Sequence, residues 1–315
     1  MEGLALVRPP ALRRGDTVGI IAPASNLQRN ALLAGCETLR RMGYNPIFDE
    51  SIMEQNLYFA GSAERRLEEL HGMFLRDDVR AIICARGGYG ANYLVDKIDV
   101  GLIRSHPKIF VGYSDVTSLL TLLLDEAGLV VFHGPMAAKD FAVPDGNDGI
   151  DVASWQAALT GTHAWSADTT GVRGLVSGSA EGMFYGGCLP MLAATLGTPH
   201  EIRTENTILF LEDIGSKPYQ IDRMLMQLKQ GGKLASVRGI IFGQMNDCVQ
   251  NAQQAYTLED VVLRIVGNLG IPVAFGLRSG HVGRANITLP LGVRASLTVN
   301  DSEVELRFLE PSSSA

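Results

Sequence analysis

Residues 107–128 read PKIFVGYSDVTSLLTLLLDEAG. Three apolar residues, Ile109-Phe110-Val111, lead through Gly112 and Tyr113 to Ser114 and Asp115, and a helix-spaced apolar stretch follows at once. A short apolar run bounded by a turn predicts a buried strand, and residues 116–126 behind it predict a helix. Strand followed directly by helix is the repeating step of an α/β fold. The turn between them presents its residue to backbone N–H groups and to the positive end of the helix. That residue is Ser114.

The same alternation extends to both sides. Apolar strands are predicted at 17–23, 45–48, 80–85 and 129–132. Between them lie helical patterns at 28–42, 62–74 and 91–97. The first carries Leu32, Leu33, Cys36, Leu39 and Met42 on one face and stops at Gly43. The second has Ser62 as its cap and Leu67, Leu70 and Phe74 as its apolar positions. This order predicts a parallel sheet with helices on both faces. The pattern weakens between about 144 and 177, where AVPDGNDG (142–149) and TGTHAWSADTTG (160–171) flank one short helix at 152–159. Beyond it, buried strands are expected at 208–211 and 239–242, and helices at 220–230 and 258–269. The chain is strand-rich from 272 onward, with VND (299–301) as a hairpin turn. The expected division is an α/β domain over 1–150, a connection over 151–175 containing Trp155 and Trp165, and a mixed-sheet domain over 176–315.

Composition narrows the function classes. Of 315 residues, 46% are hydrophobic and 19% charged, enough for a large core without a metal or disulfide staple. The net charge is −7, and basic residues cluster only in pairs such as Arg13-Arg14, Arg40-Arg41 and Arg65-Arg66. Nucleic acid and anionic membrane are therefore not expected partners. Cys36, Cys84, Cys188 and Cys248 form no CxxC pair, so buried thiols in a reducing compartment are expected. The start MEGLALVRPPALRRGD lacks a basic n-region followed by an apolar one, and no run reaches the ~20 apolar residues of a membrane span. The expectation is a soluble, cytoplasmic protein.

A serine hydroxyl is a poor nucleophile until a base takes its proton. At a strand-to-helix turn it gains N–H donors for an oxyanion, each worth about 3–4 kcal/mol in known cases. The GxSxG elbow follows the same logic, but here only Gly112 of its two glycines is present. A serine at this place can equally cap the helix. Two histidines compete as base. His133 follows the strand at 129–132, and His281 lies in LRSGHVGRANITLP between Gly280 and Gly283. His71, His106, His163 and His200 fall in a charged helix or in polar turns and linker sequence. An orienting carboxylate is offered by TILFLEDIG, where Glu212 and Asp213 follow an apolar run at a strand's C-terminal end. Spacing does not choose between them. CARGGYGANYL (84–94) sets Gly87, Gly88 and Gly90 between strand and helix, a loop able to hold an anion opposite Ser114. It is neither GxGxxG nor a phosphate loop, so no dinucleotide is expected. Arg86 in that loop and Arg284 beyond His281 are candidate partners for a substrate carboxylate.

Seven stretches then occur in one order: GDTVGIIAPAS, FAGSAERRLEEL, ARGGYGA, GYSD, EGMFYGGCLPML, ILFLEDIGSKPYQIDRML and GHVGRANITLPLG. As a set, spanning essentially the whole chain, they resemble the LD-carboxypeptidases and the related microcin immunity peptidases. The resemblance implies Ser114 as nucleophile, Glu212 as acid and His281 as base, selecting Glu212 over Asp213 and His281 over His133. It implies an oxyanion hole from the backbone N–H groups of Asp115 and of a glycine in RGGYG, placed at Gly88. It implies an N-terminal flavodoxin- or Rossmann-like parallel-sheet domain, a C-terminal swivelling β/β/α mixed-sheet domain and a homodimer, with no metal and no cofactor. The reaction it implies is hydrolysis, through an acyl-enzyme, of the bond before the terminal D-alanine of a cytoplasmic murein tetrapeptide during cell-wall recycling. Microcin immunity relatives instead cleave acyl-sulfamoyl or acyl-phosphoramidate nucleotide conjugates, often with a longer aromatic-bearing loop that is not obvious here. A reading of another class is a non-catalytic α/β protein that uses RGGYG to bind a small anion.

Overall fold

The computed structural model describes residues 5–144, 149–249, 255–300 and 303–314. In chain order it forms β1 (Thr17–Ile21), α1 (Arg29–Arg41), β2 (Asn45–Ile47), α2 (Ala63–Leu75), β3 (Val79–Cys84), α3 (Val100–Ser105), β4 (Ile109–Gly112), α4 (Thr117–Asp125), β5 (Val131–His133) and α5 (Val152–Leu159). There follow β6 (Trp165–Ser166), β7 (Arg173–Val176), β8 (Gly178–Cys188), α6 (Leu189–Ala194), β9 (Thr207–Glu212), α7 (Pro218–Gln230), β10 (Gly239–Gly243) and α8 (Leu258–Val266). The chain ends with β11 (Val273–Leu277), β12 (Leu289–Leu291), β13 (Arg294–Val299) and β14 (Val304–Phe308).

Local chemistry accounts for these elements. β4 and β9 are buried along their whole length, as strands inside a covered parallel sheet must be. α1 buries Leu32, Cys36 and Leu39 at helical spacing and presents arginines outward. Ser62 caps α2 by accepting from the Arg65 N–H at 3.2 Å. Thr257 and Asp260 exchange hydrogen bonds in a capping box that starts α8. α4 is buried at all nine positions: its leucines pack inward, and the hydroxyl of Thr121, one of its four buried polar residues, donates to the Thr117 carbonyl at 3.1 Å.

Two sheets result. The first has the order β12-β5-β4-β3-β1-β2. Its five N-terminal strands are parallel and in the flavodoxin-like order, and β12 is added antiparallel to β5. In such sheets ligands bind beyond the C-terminal ends of the strands, near the point where the strand order reverses. Here that point lies between β1 and β3. The second sheet has the order β6-β14-β13-β8-β9-β10-β11-β7. Its centre, β8 to β11, is parallel and its flanks are antiparallel, so it is mixed.

Contacts divide the chain into two compact units, and the limits differ from the expected ones. The first unit takes the described residues of Glu2–Thr162, Gly283–Gly292 and Pro311–Ala315. The second takes those of His163–Val282 and Val293–Glu310. Residues 151–175 are not a separate connection. α5 belongs to the first unit because Trp155 is fully buried there, edge-on to Phe141 at 5.1 Å and donating to the Tyr44 hydroxyl at 3.3 Å. Trp165 belongs to the second unit, where β6 pairs with β14 and its ring lies 4.7 Å from Phe308. β12 returns to the first sheet because its backbone completes β5. The PSSSA tail returns too: Ser314 donates to the Pro9 carbonyl and accepts from the Ala11 N–H, each at 2.9 Å.

Smaller differences follow. Residues 91–97 form two 3₁₀ turns, Ala91–Tyr93 and Val95–Lys97, in place of one short helix. β13 and β14 pair as the expected hairpin, although Asp301 of its VND turn lies outside the described residues, as do 145–148 of AVPDGNDG. All four cysteines are buried thiols. Among the described residues no helix is long and apolar enough to cross a membrane.

Candidate active site

β4 delivers Ser114. The strand runs buried to Gly112, and Tyr113 continues it in extended backbone at φ −156°. The chain then turns sharply, and Ser114 sits at φ +64°. A non-glycine residue in this left-handed region costs roughly 1–3 kcal/mol and persists only where its surroundings impose it. A 3₁₀ turn, Ser114–Val116, leads into α4. The cap position of that turn is Tyr113, so Ser114 is not the N-cap residue. Its neighbours Tyr113 and Asp115 are buried, whereas Ser114 is partly exposed.

The glycine loop after β3 faces this elbow. A Cβ on Gly87 would lie 2.7 Å from Ser114 Cβ, 3.0 Å from Ser114 Oγ and 3.3 Å from the Asp115 nitrogen. Only a residue without a side chain leaves that space open. Gly88 is exposed at φ +101°, and its missing side chain faces Ser25, not Ser114. The run of glycines in RGGYG points to the loop, but nothing in the sequence singles out Gly87 within it. The loop is held from below: the Ser25 N–H donates to the Gly87 carbonyl at 3.3 Å, and the Tyr89 N–H to Ser25 Oγ at 3.0 Å. Arg86 is partly buried, and its Nη1 donates to the Asn26 carbonyl at 3.1 Å. Arg284 is exposed. Asp115 is 2% exposed, and its Oδ2 accepts from the Ala91 N–H at 2.8 Å. Burial pushes its carboxyl up to about 6, against the pull of the N–H groups of Ala91 and Gly90 and the charge of Arg66.

The second unit brings Glu212 and His281 together. Glu212 ends β9, and His281 lies in the loop after β11. Glu212 Oε2 accepts from His281 Nδ1 at 2.7 Å and from the His281 backbone N–H at 3.1 Å. One oxygen thus holds both the ring and the backbone of the same residue. The preceding Gly280 is at φ +92°, and a Cβ there would lie 2.5 Å from Glu212 Oε2. The carboxylate is 1% exposed and the histidine 9%. A proton held on Nδ1 leaves Nε2 as the basic nitrogen. Asp213 faces other partners: its Oδ1 accepts from the Ile214 N–H at 2.7 Å, and burial raises its carboxyl, opposed by a hydrogen bond from Ser216. His133, in the first unit, is fully buried, with its ring 5.8 Å from that of Tyr113.

Cys188 adds a third group to the pair in the second unit. It ends β8 in register with Glu212, and the ligand atoms of Cys188, Glu212 and His281 all lie within 4.8 Å of one another. The residue types suit zinc. Yet burial raises the Cys188 thiol well above its ordinary range, with the nearby carboxylates adding to the effect, and Nδ1 is already committed to Glu212. The bond from His281 Nδ1 to Glu212 is the geometry of an oriented imidazole.

Comparison with known proteins places both halves of the chain. Residues 18–134 match the LD-carboxypeptidase N-terminal domain, and residues 181–297 match the LD-carboxypeptidase C-terminal domain. A probable murein peptide carboxypeptidase from Bacillus subtilis is 40% identical over 292 residues, covering 92% of this chain and 91% of that protein. The crystal structure of a muramoyltetrapeptide carboxypeptidase from Oxalobacter formigenes superposes with a TM-score of 0.84 at 28% identity, covering 94% of this chain and 99% of that one. An MccF-like protein from Bacillus anthracis superposes with a TM-score of 0.85 at 25% identity, over 96% and 99% of the two chains. With both halves matched in order, and the strained serine and the carboxylate-held histidine falling inside them, the chain belongs to the LD-carboxypeptidase family.

Proposed function

We propose that this protein is a serine carboxypeptidase that releases the terminal D-alanine of a murein tetrapeptide through an acyl-enzyme. Ser114 Oγ attacks the carbonyl carbon of the penultimate residue while His281 Nε2 takes the hydroxyl proton. Glu212 keeps the proton on Nδ1 and stabilises the imidazolium that forms. The N–H groups of Asp115 and Gly88 receive the oxyanion. The tetrahedral intermediate collapses with cleavage of the C–N bond, and His281 gives its proton to the departing amine of D-alanine. Water then attacks the ester, with His281 again as base, and Ser114 and the shortened peptide are released. In this reading the protein works as a homodimer in the cytoplasm on peptides recovered from the cell wall.

The observation that carries the proposal is Ser114 at φ +64°, set directly against Gly87. Strain of this kind, at a strand-to-helix turn that faces a glycine loop, supports the reading of Ser114 as a residue placed for chemistry. The substrate class is supported by the names of the relatives from Bacillus subtilis and Oxalobacter formigenes.

The test is D-alanine release from murein tetrapeptide by the wild type and by Ser114→Ala, His281→Ala and their double variant. Each single change is expected to lower kcat by roughly 10⁴–10⁶, and the double variant to be little worse than either. Ser114→Ala keeping more than a tenth of the activity overturns the nucleophile assignment. Cleavage of an aminoacyl-sulfamoyl adenosine with no release of D-alanine moves the protein to the microcin-immunity reaction. Failure of Ser114 to react with a fluorophosphonate, with neither substrate turned over, leaves the anion-binding reading.

A further inference from the structure

One peptide group in the glycine loop is gripped at both ends by opposite charges. The carbonyl of Gly90 and the N–H of Ala91 belong to the same peptide unit. Arg66 Nη1 donates to the Gly90 oxygen at 2.7 Å, and Asp115 Oδ2 accepts from the Ala91 N–H at 2.8 Å. Both side chains are buried, Arg66 at 1% exposure and Asp115 at 2%. Burying a guanidinium or a carboxylate is costly unless its charge is compensated and its hydrogen bonds are made. Arg66 spends its donors on backbone carbonyls. The same Nη1 also donates to Pro23 at 2.7 Å, and Nε donates to Ser62 at 3.3 Å, while the guanidinium lies 4.9 Å from the Phe59 ring centre. Its charge is therefore balanced through the peptide, with Asp115 on the far side.

We propose that Arg66 and Asp115 are positioning residues that clamp the Gly90–Ala91 peptide and so hold the RGGYG loop against the nucleophile elbow. The inference rests on the reading of Ser114 as nucleophile. Charge-assisted hydrogen bonds are stronger and shorter than neutral ones, and two of them on one peptide fix its plane. Gly90 is at φ +132°, and a Cβ there would lie 2.7 Å from both Arg66 Nη1 and Phe59 Cδ1, so the clamp closes only on glycine. Three residues upstream, Gly87 lies against Ser114 Oγ and the Asp115 nitrogen. Asp115 thus has two tasks: its side chain ties down the loop, and its own N–H follows Ser114 in the turn. A loop that shifts would misplace donors whose value lies in the transition state. The cost falls on kcat, with KM little changed.

The test measures kcat and KM for the tetrapeptide, together with the rate of fluorophosphonate labelling, in Asp115→Ala, Asp115→Asn and Arg66→Met. Asp115→Ala is expected to lower kcat about 10²-fold, the scale of a lost or misplaced oxyanion donor, with KM held within about threefold. Asp115→Asn keeps an acceptor for the Ala91 N–H and is expected to recover most of that loss. Labelling should slow in parallel with kcat. Arg66→Met is the variant most prone to misfold, so the two Asp115 variants decide the outcome. Wild-type kcat in a folded Asp115→Ala overturns the clamp, and so does a loss confined to KM. If Ser114 labels normally in the wild type while these variants are unaffected, the clamp alone is wrong. If Ser114→Ala leaves activity intact, the underlying nucleophile reading is wrong.

Discussion

Ser114 and His281 are held by opposite means. Ser114 takes its place from the backbone: a left-handed φ, a 3₁₀ turn behind it and a glycine in front of it. His281 takes its place from a side chain, the buried Glu212, which binds its ring and its backbone N–H. The reason is geometric. A hydroxyl sits one rotatable bond from the backbone, so aiming the backbone aims the oxygen. An imidazole has two rotatable bonds and two tautomers, and only a second hydrogen bond fixes both. The elbow is therefore vulnerable to an added atom, and the imidazole to a lost charge.

The largest effect that separates the two regions should come from Glu212. Glu212→Gln removes the charge that holds Nδ1–H and is expected to lower kcat by about 10⁴, as loss of the orienting carboxylate does in other triads. Asp213→Asn, whose oxygen serves the Ile214 N–H, should keep most of the activity. An equal loss in both variants breaks the distinction between the neighbours.

Gly87→Ala tests the elbow. Its methyl group would lie 2.7 Å from Ser114 Cβ, so one must move, and kcat should fall about 10²-fold. Gly72→Ala is the control, since a Cβ there meets nothing within 4 Å. Full activity in Gly87→Ala would mean that the elbow is not held from the front.

The substrate carboxylate gives a smaller signal. If Arg86 or Arg284 pairs with it, replacing that arginine should raise KM about tenfold for the free acid, and not for an amidated analogue. Arg86 also braces Asn26, so Arg86→Met should cost stability whether or not it binds substrate. Arg284 is exposed, and Arg284→Met should leave stability unchanged. Unaltered preference for the free acid in both variants transfers the role to backbone N–H groups or to another residue.

The smallest effect is on stability against pH. The Asp115 carboxyl is raised from 3.8 to about 6 in the folded protein by burial. Between these values the folded state holds a proton that the unfolded state has released. Stability from this group therefore falls as pH rises from about 4 to 6, by at most about 3 kcal/mol, since each unit is worth about 1.4 kcal/mol. Asp115→Asn should remove that part of the slope in denaturant titrations across the window. A slope identical to that of the wild type rules out a protonated Asp115 there.

The sequence by itself determined much of the first unit. Apolar runs such as Ile109-Phe110-Val111, alternating with helix patterns that stop at glycine, specify a parallel α/β sheet because burial on both faces demands unbroken apolar strands. It also marked the Ser114 turn and the RGGYG loop, because glycine and an abrupt change of period are local signals. Tertiary structure decided what depends on partners distant in the chain. β8 was not legible because it contains four glycines, which weaken strand propensity; one of them, Gly186, is needed because a Cβ would overlap the Phe210 carbonyl. β12 reads as a strand, but no periodicity says which sheet it joins. Glu212 and Asp213 are adjacent and chemically alike, and successive residues at a strand end face opposite ways, so the fold brings only one of them to His281. Gly87 and Gly88 are identical in sequence, and only packing sets the first against Ser114 and the second against Ser25.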